Sequence, residues 1–215
     1  MAAVVAGRFI ALEGGEGAGK STQARLLTDA LRARGLDVVT TREPGGTAGA
    51  EAIRALLLET EGEGWGPRAE ALLFAAARSD HVERLIRPAL ARGAWVVCDR
   101  FLDSSRAYQG GGGGLGDGDI LDLHRIGSQG LLPDLTVLIT IPPLHAAERL
   151  ALRDGADADR IGGREPAYHA RVAAAFDRFA DAEPGRFARV DGEGDPQAVH
   201  ADVLAAIDQR LGPAR

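Results

Sequence analysis

The sequence has little of several residue types, and each shortage excludes a class of protein. Its 215 residues include one cysteine, Cys98, which excludes both a disulfide framework and a zinc site of several thiolates within the chain. The longest apolar run covers only residues 71–77, far fewer than the ~20 residues of a membrane span. The first residues lack a charged segment before a short apolar run, so no signal peptide is predicted. We therefore expect a cytoplasmic protein that does not bind membranes.

Blocks of basic residues are also missing. The chain has 25 basic and 31 acidic residues, which are interspersed and give a net charge of −6. Because nucleic-acid binding depends on clustered positive charge, no nucleic-acid partner is expected. Lysine occurs once, as Lys20, so arginine supplies every other basic side chain. A hydrophobic content of 45% nevertheless indicates a folded globular protein.

Short apolar runs alternate with longer helical patterns along the chain. The runs are almost continuously hydrophobic, which is typical of parallel strands covered on both faces. This alternation predicts an α/β protein of one domain, residues 1–215, with a five-stranded parallel sheet and ligands at the carboxyl ends of the strands. The predicted strands are 8–13, 37–42, 95–99, 135–141 and 187–191.

Proline at the starts of several helical patterns and glycine at their ends help to delimit the helices. The glycine-rich run "QGGGGGLGDGD", residues 109–119, is predicted to be a flexible loop. A polar, charged stretch at 153–165 is predicted to be a short mobile lid between two helices. The predicted helices are 20–34, 48–59, 67–92, 119–126, 143–153, 166–182 and 196–211.

The stretch "GGEGAGKS" at 14–21 follows the first predicted strand and matches the P-loop pattern. Its glycines allow backbone N–H groups to converge on phosphate oxygens, at the positive end of the following helix. Lys20 can reach the β- and γ-phosphates, and Ser21 can ligate Mg²⁺. The predicted ATP-binding residues are Gly14, Gly15, Glu16, Gly17, Ala18, Gly19, Lys20, Ser21 and Thr22.

The rest of the chain narrows the class of P-loop protein. A GTPase would need an Asn-Lys-x-Asp element, which is excluded because Lys20 is the sole lysine. The second and third predicted strands end in Arg42 and in Asp99–Arg100, at the edge of the sheet where the P-loop opens. Asp99 can help Ser21 to hold Mg²⁺, directly or through water, and the two arginines can bind phosphate. These residues indicate either a small kinase with a second phosphorylated substrate or a simple ATPase.

Five motifs, in this order and spacing, resemble those of bacterial thymidylate kinases. They are "EGGEGAGKST", "TREPGGT", "LLFAAARSDH", "DRFLDSSRAYQGGG" and "PDLTVLIT", and the resemblance extends from about Phe9 to the last predicted helix. It implies the P-loop nucleoside monophosphate kinase fold. It also implies conversion of dTMP to dTDP with ATP and Mg²⁺, in dTTP biosynthesis, by a homodimer.

The resemblance assigns roles at the phosphate end of the acceptor site. Glu13 is implied to approach the sugar 3′-hydroxyl, and Pro44 falls at the family's rigid turn against the site. Arg42 and Arg100 are implied to hold the acceptor phosphate. Arg100 would also share, with Lys20, the charge on the phosphoryl group in transfer.

Phe74 and Arg78 are four residues apart on a predicted helix and so share a face. The pattern alone favours Phe74 as a core residue. The resemblance instead makes it the stacking platform for thymine, with Arg78 as donor to a pyrimidine carbonyl. Tyr108 is implied to crowd the sugar 2′ carbon and so to favour deoxyribose. The resemblance also places three polar residues near the base and sugar, namely Ser104, Ser105 and Gln109.

Some family members carry a catalytic arginine among the variable P-loop residues, whereas this chain has Glu16 and no arginine there. It therefore resembles the subtype that supplies this arginine from the lid. Arg149, Arg153 and Arg160 flank or lie in the predicted lid; Arg153 is favoured, with Arg160 second.

Two alternatives remain open from the sequence. The acceptor could be dUMP or another nucleoside monophosphate, or the chain could be a regulatory or assembly protein that binds ATP without phosphorylating a nucleotide. Phe74, Arg78 and Tyr108 argue against the second alternative, because a protein that only binds ATP has no need of a base and deoxyribose pocket.

Overall fold

A computed structural model describes residues 7–60, 62–154 and 160–212, with the backbone alone at 152–154. Its sheet has five parallel strands in the order β2-β3-β1-β4-β5, so the predicted parallel α/β sheet is confirmed. Crossing from β1 to β2 over β3 leaves a cleft at the carboxyl end of β1, where α/β proteins bind ligands. The strands are β1 Phe9–Glu13, β2 Val38–Arg42, β3 Trp95–Asp99, β4 Leu135–Thr140 and β5 Phe187–Asp191.

Helices cover both faces of the sheet, and most begin and end within two residues of the predicted bounds. No helix in the described ranges has the length and apolar character needed to cross a membrane. The helices are α1 Lys20–Ala33, α2 Ala48–Glu59, α3 Pro67–His81, α4 Arg87–Ala91, α5 Leu102–Ser105, α6 Asp117–Ser128, α7 Pro143–Asp154, α8 Pro166–Ala182 and α9 Pro196–Leu211.

The predicted helix 67–92 is not one regular helix. A wide π-helical turn, Val82–Ile86, separates α3 from α4, and the N–H of Arg87 bonds to the carbonyl of Val82. Pro88 has no backbone N–H, so the regular bond to the carbonyl four residues earlier is lost just after this turn. The apolar periodicity continues through the turn, and for that reason the sequence predicted a single helix.

The alternation of side chains along β1 divides the core into two layers. Ile10 and Leu12 pack against α1 and α9, in a cluster that includes Leu27 and Val203. Phe9 and Ala11 face the opposite side, where α3, the π-helical turn and α6 pack. Both layers hold the end of β1 firmly in place, and the P-loop follows directly from it.

The prediction of a flexible glycine-rich loop at 109–119 is wrong for most of that run. Helix α5 continues into a π-helical segment, Arg106–Gly112, and α6 begins at Asp117. A Cβ on Gly111 would lie 2.5 Å from the Ala175 Cβ, and one on Gly112 would lie 2.5 Å from Tyr168 Cε2. These glycines therefore allow close packing against α8, and their composition misled the prediction because glycine serves flexible and tightly packed backbones alike.

Candidate active site

The P-loop connects β1 to α1, as predicted. Gly14, Gly17 and Gly19 all have positive φ values, between 73° and 146°, so the loop needs glycine at these positions. Helix α1 begins at Lys20, followed by Ser21 and Thr22, and its first N–H groups open towards the loop. The geometry is that of an anion-binding loop at a helix N-terminus.

Lys20 is buried inside this loop. Its Nζ donates a hydrogen bond of 2.6 Å to the carbonyl of Gly15. Burial, and then the charge of the nearby Arg100 guanidinium, lower the pKa of Lys20 to about 8. Negative charge on bound phosphates would raise this pKa again.

Ser21 and Asp99 meet at the open side of the loop. Ser21 Oγ donates to Asp99 Oδ2 at 2.5 Å, and the other carboxylate oxygen, Oδ1, is buried with no partner among the described residues. A hydroxyl and a free carboxylate oxygen beside a phosphate loop fit Mg²⁺, which usually takes one or two protein ligands together with phosphate oxygens and water. Within the described ranges no cluster of three or more His, Cys, Asp or Glu could hold a metal by itself.

Arg100 follows β3 in the left-handed region, with φ of 68°, which is uncommon for a residue other than glycine. Its guanidinium donates to Glu16 Oε1 at 2.6 Å and to the Gly14 carbonyl at 3.0 Å. Tyr108 donates its hydroxyl to the same Glu16 oxygen at 2.9 Å, and the guanidinium lies over its ring. Glu16, predicted only as an ATP-loop residue, therefore joins the P-loop to the tyrosine expected at the sugar.

One cavity of about 290 Å³, the main cavity, extends from the P-loop to α3. Its walls come from the ends of β2 and β3, from α2 and α3, and from the segment that includes α5. Motifs from distant parts of the sequence thus meet at one site. The predicted site residues that line it are Glu16, Lys20, Ser21, Arg42, Pro44, Phe74, Arg78, Asp99, Arg100, Ser104, Ser105, Tyr108 and Gln109.

Arg78, at the far end of the main cavity, is 3% exposed and held from several sides. Its Nε donates to Glu43 Oε2 at 2.7 Å, and its Nη2 donates to Ser105 Oγ at 2.7 Å. The other oxygen of Glu43 lies 3.0 Å from His81 Nδ1. Phe74, one turn earlier on α3, stays half-buried at the wall of the cavity. A fixed guanidinium beside an available aromatic ring can recognise a planar ring with a carbonyl group.

The phosphate side of the cavity lies at the turn after β2. Arg42 is about half exposed and pairs with Glu51 at 3.1 Å. The peptide bond before Pro44 is cis, and the Pro44 carbonyl accepts a hydrogen bond of 2.9 Å from Arg54 Nη1. Arg54 also lines the cavity. Arg54 belongs to no motif of the sequence, and Glu43, although part of "TREPGGT", had no predicted role.

Glu13 lies behind the cavity wall and not in its lining. Its Oε1 accepts from the backbone N–H groups of Phe101 and Ser104, at 2.8 and 3.0 Å, and its Oε2 accepts from Ser104 Oγ at 2.6 Å. Burial, and then the charge of Asp103, raise the pKa of Glu13 to about 7. Glu13 supports the turn that carries Arg100 and Ser104, and its contact with a sugar stays a prediction.

The predicted lid falls partly outside the described residues, which exclude 155–159 and the side chain of Arg153. Arg160 points to the 62–66 loop, with its Nη2 3.4 Å from the Glu63 carbonyl. Arg149 lies nearer the P-loop: its Nη1 would be 3.9 Å from a Cβ on Gly19, while its Nη2 donates to the Gly192 carbonyl. Ile161, which no motif indicated, lines the main cavity.

Comparisons with known proteins give the family of the chain. The family model described as thymidylate kinase matches residues 12–203. The chain is 61% identical over 205 residues to the thymidylate kinase of Rhizorhabdus wittichii, covering 95% of this chain and 99% of that protein. It is 46% identical over 208 residues to that of Bradyrhizobium diazoefficiens, covering 96% and 91%. A crystal structure of thymidylate kinase from Ehrlichia chaffeensis has a TM-score of 0.77 and 30% identity, covering 94% and 99%.

Proposed function

The chain belongs to the thymidylate kinase family, and on that premise we propose that it transfers the γ-phosphoryl group of ATP to dTMP, forming dTDP for dTTP synthesis. The predicted P-loop nucleoside monophosphate kinase fold is confirmed. The observation that carries the function is the main cavity itself. It joins a phosphate loop with a buried lysine to a half-buried aromatic ring and a fixed arginine, Phe74 and Arg78.

The reaction needs no general base from the protein. The acceptor phosphate has a second pKa of about 6 and is therefore already ionised at neutral pH. Catalysis then consists of holding the two nucleotides in line and neutralising the charge on the phosphoryl group. Lys20 and Arg100 have the positions and the charge for this task, because both lie at the junction of the P-loop and the main cavity.

Mg²⁺ would be held by Ser21 and by Asp99, directly or through water. Bound there, the ion supplies charge neutralisation at the β- and γ-phosphates. The unpartnered buried oxygen of Asp99 supports this assignment.

The acceptor dTMP would bind with its base between α3 and the end of β3. Phe74 would stack on thymine, and Arg78, with its orientation set by Glu43 and Ser105, would donate to a pyrimidine carbonyl. Tyr108 would crowd the 2′ carbon. The acceptor phosphate would lie between Arg42 and Arg100, beside the Pro44 turn. The family resemblance also assigns Glu13, Ser104, Ser105 and Gln109 to the nucleoside; the last three line the main cavity, whereas Glu13 does not.

The lid, residues 153–165 of a single domain 1–215, would supply the catalytic arginine. Arg149 and Arg153 are one turn apart on α7 and so share a helix face, and Arg149 lies beside the P-loop. This spacing supports Arg153 as the first candidate. Arg160 comes second, because its guanidinium is directed to the Glu63 carbonyl.

A homodimer would form through α3 and α6, which pack against each other. Both carry exposed apolar side chains, Leu72 at 56%, Leu121 at 39% and Ile126 at 70%. Single exposed leucines are ordinary, but three on two adjoining helices form a patch of the kind that associates. Light scattering should give a dimer mass for the wild type and a monomer mass for Ile126→Asp. A cytoplasmic location is proposed with the same function.

A coupled assay with ATP and Mg²⁺ across dTMP, dUMP, dGMP and AMP tests the function. We expect dTMP to give the highest kcat/KM, and removal of Mg²⁺ with EDTA to abolish turnover. A higher kcat/KM for another monophosphate would assign a different acceptor. ATP binding without turnover of any acceptor would instead indicate a protein that binds ATP and performs no transfer.

A further inference from the structure

Gln109 separates the main cavity from a second cavity. The second one, the side cavity, has a volume of about 200 Å³ and is lined in part by Glu70, Gln109, Arg164 and Tyr168. Gln109 lines both cavities and is only 2% exposed. A residue of the side cavity that bonds to Gln109 can therefore affect the nucleotide site through this one side chain.

Glu70, near the start of α3, is 5% exposed and uses both carboxylate oxygens. Its Oε1 accepts a hydrogen bond of 3.0 Å from Gln109 Nε2, and its Oε2 accepts from Arg164 Nη2. An ionised carboxylate can only accept, so Gln109 must present its NH₂ group to Glu70. The amide oxygen of Gln109 is then the end left for a ligand in the main cavity.

Arg164 also contacts, by a second route, the π-helical segment Arg106–Gly112 that carries Tyr108 and Gln109. Its Nη1 donates to the Tyr168 hydroxyl at 2.7 Å, and its guanidinium lies over that ring. The Tyr168 hydroxyl donates in turn to the Tyr108 carbonyl at 2.9 Å. Arg164 thus reaches Gln109 through Glu70 and Tyr108 through Tyr168, and both Tyr108 and Gln109 line the main cavity. Two independent contacts of this kind fix the orientation of the segment.

We propose that Glu70 and Arg164 are positioning residues for the acceptor nucleotide, a role that rests on the proposed function. Glu70 orients the Gln109 amide so that its oxygen accepts a hydrogen bond from a donor group of the nucleoside. Arg164, at the C-terminal end of the predicted lid, holds the Glu70 carboxylate in place. Neither residue lines the main cavity, so both set the affinity for the acceptor and leave the transfer step unchanged.

Steady-state kinetics of Glu70→Gln test the orienting role. The substituted side chain has the same shape but can present either an NH₂ group or an oxygen, so Gln109 is free to turn. We expect the KM for dTMP to rise about tenfold, the scale of one oriented hydrogen bond. The value of kcat and the KM for ATP should stay within about twofold of the wild type.

Arg164→Met should raise the KM for dTMP as Glu70→Gln does, whereas Arg164→Lys, which keeps the charge beside Glu70, should stay within about threefold of the wild type. Arg34→Met is the matched control. Arg34 has a similar exposure, 27% against 26%, and its bidentate pair with Asp208 joins α1 to α9 away from the cavity. This control should leave the KM for dTMP unchanged.

The readouts separate this proposal from the proposed function. Wild-type protein that does not phosphorylate dTMP overturns the function, and the positioning role with it. If the wild type is active, an unchanged KM for dTMP in Glu70→Gln overturns the positioning role alone. A fall in kcat together with a rise in both KM values, in proportion to lost thermal stability, also overturns it, because it indicates a general structural role.

Discussion

The two ends of the main cavity differ in how their polar side chains are held. At the end next to the P-loop, the donor half, they bond to each other or to the loop backbone. At the α3 end, the acceptor half, they bond to buried side chains outside the P-loop. In the donor half, Lys20 bonds to the Gly15 carbonyl and Ser21 to Asp99. In the acceptor half, Arg78 is held by Glu43 and Ser105.

The ion pair that holds Arg78 is also less exposed than the ion pair beside the P-loop. The Arg78–Glu43 pair is 3% and 4% exposed, whereas the Arg100–Glu16 pair is 17% and 19% exposed. The pKa of Lys20, lowered to about 8 by burial, indicates an ammonium group that still lacks adequate counter-charge. We propose on this basis that the acceptor half is assembled before the nucleotide binds, while the donor half would be completed by the phosphates and the metal.

Substitution of Lys20, in the donor half, should have the largest effect on turnover. Lys20→Ala removes the cation closest to the transferring group, and we expect kcat to fall by about a thousandfold. The Kd for dTMP should change little, because the acceptor half is intact. Arg25→Ala on the same helix removes an exposed cation, 67% accessible, and should keep wild-type kcat. Near-normal turnover in Lys20→Ala would refute the assignment of the P-loop.

The lid arginine should give the next largest effect. Arg153→Ala should lower kcat by about a hundredfold and leave the KM for dTMP near its wild-type value, because such a cation acts on the transition state. Arg160→Ala provides the comparison, since its guanidinium is directed to the Glu63 carbonyl. If the Arg160 variant loses more kcat than the Arg153 variant, the order of the two candidates is reversed.

Arg78→Met should weaken the acceptor half in two measurable ways. Loss of a charged donor should raise the KM for dTMP by roughly thirtyfold, equivalent to about 2 kcal/mol. Glu43 would then be buried beside His81 without its guanidinium, and the free energy of unfolding should fall by about 3 kcal/mol.

The double variant Arg78→Met/Glu43→Gln separates these two effects. It removes the unpaired charge, so the free energy of unfolding should recover while the KM for dTMP stays high. If both quantities recover together, Arg78 acts on the fold and not on the nucleotide.

Glu13 should give the smallest effect, and it concerns pH. Its pKa rises from the usual 4.5 to about 7 in the folded protein, mainly through burial. Its contribution to stability is fully present below pH 4.5 and is lost between pH 4.5 and 7, because the unfolded chain releases that proton first. Glu13→Gln keeps the shape and removes the titration. Urea unfolding from pH 5 to 8 should therefore show a weaker decline with pH in the variant, and parallel curves would contradict the shift.

The sequence predicted well what short-range patterns determine. Continuous apolar runs located the strands, and the glycines around Lys20 located the phosphate loop. It predicted poorly what depends on distant contacts. Arg54 lines the cavity because α2 brings it there, and no local pattern marks it. Glu43 lies in the "TREPGGT" motif, but its contact with Arg78 depends on the fold. The close packing of Gly111 and Gly112 against α8 is likewise set by tertiary structure, so composition alone indicated a loop.

Calorimetric titration of dTMP into protein free of ATP and Mg²⁺ tests most directly whether the acceptor half is assembled in advance. It should be run on the wild type and on Lys20→Ala. We expect one dTMP per chain in both, with Kd values that agree within about threefold, because Arg78 and Glu43 need nothing from the donor half. Binding that appears only when an ATP analogue and Mg²⁺ are added, or that disappears in Lys20→Ala, would contradict the account.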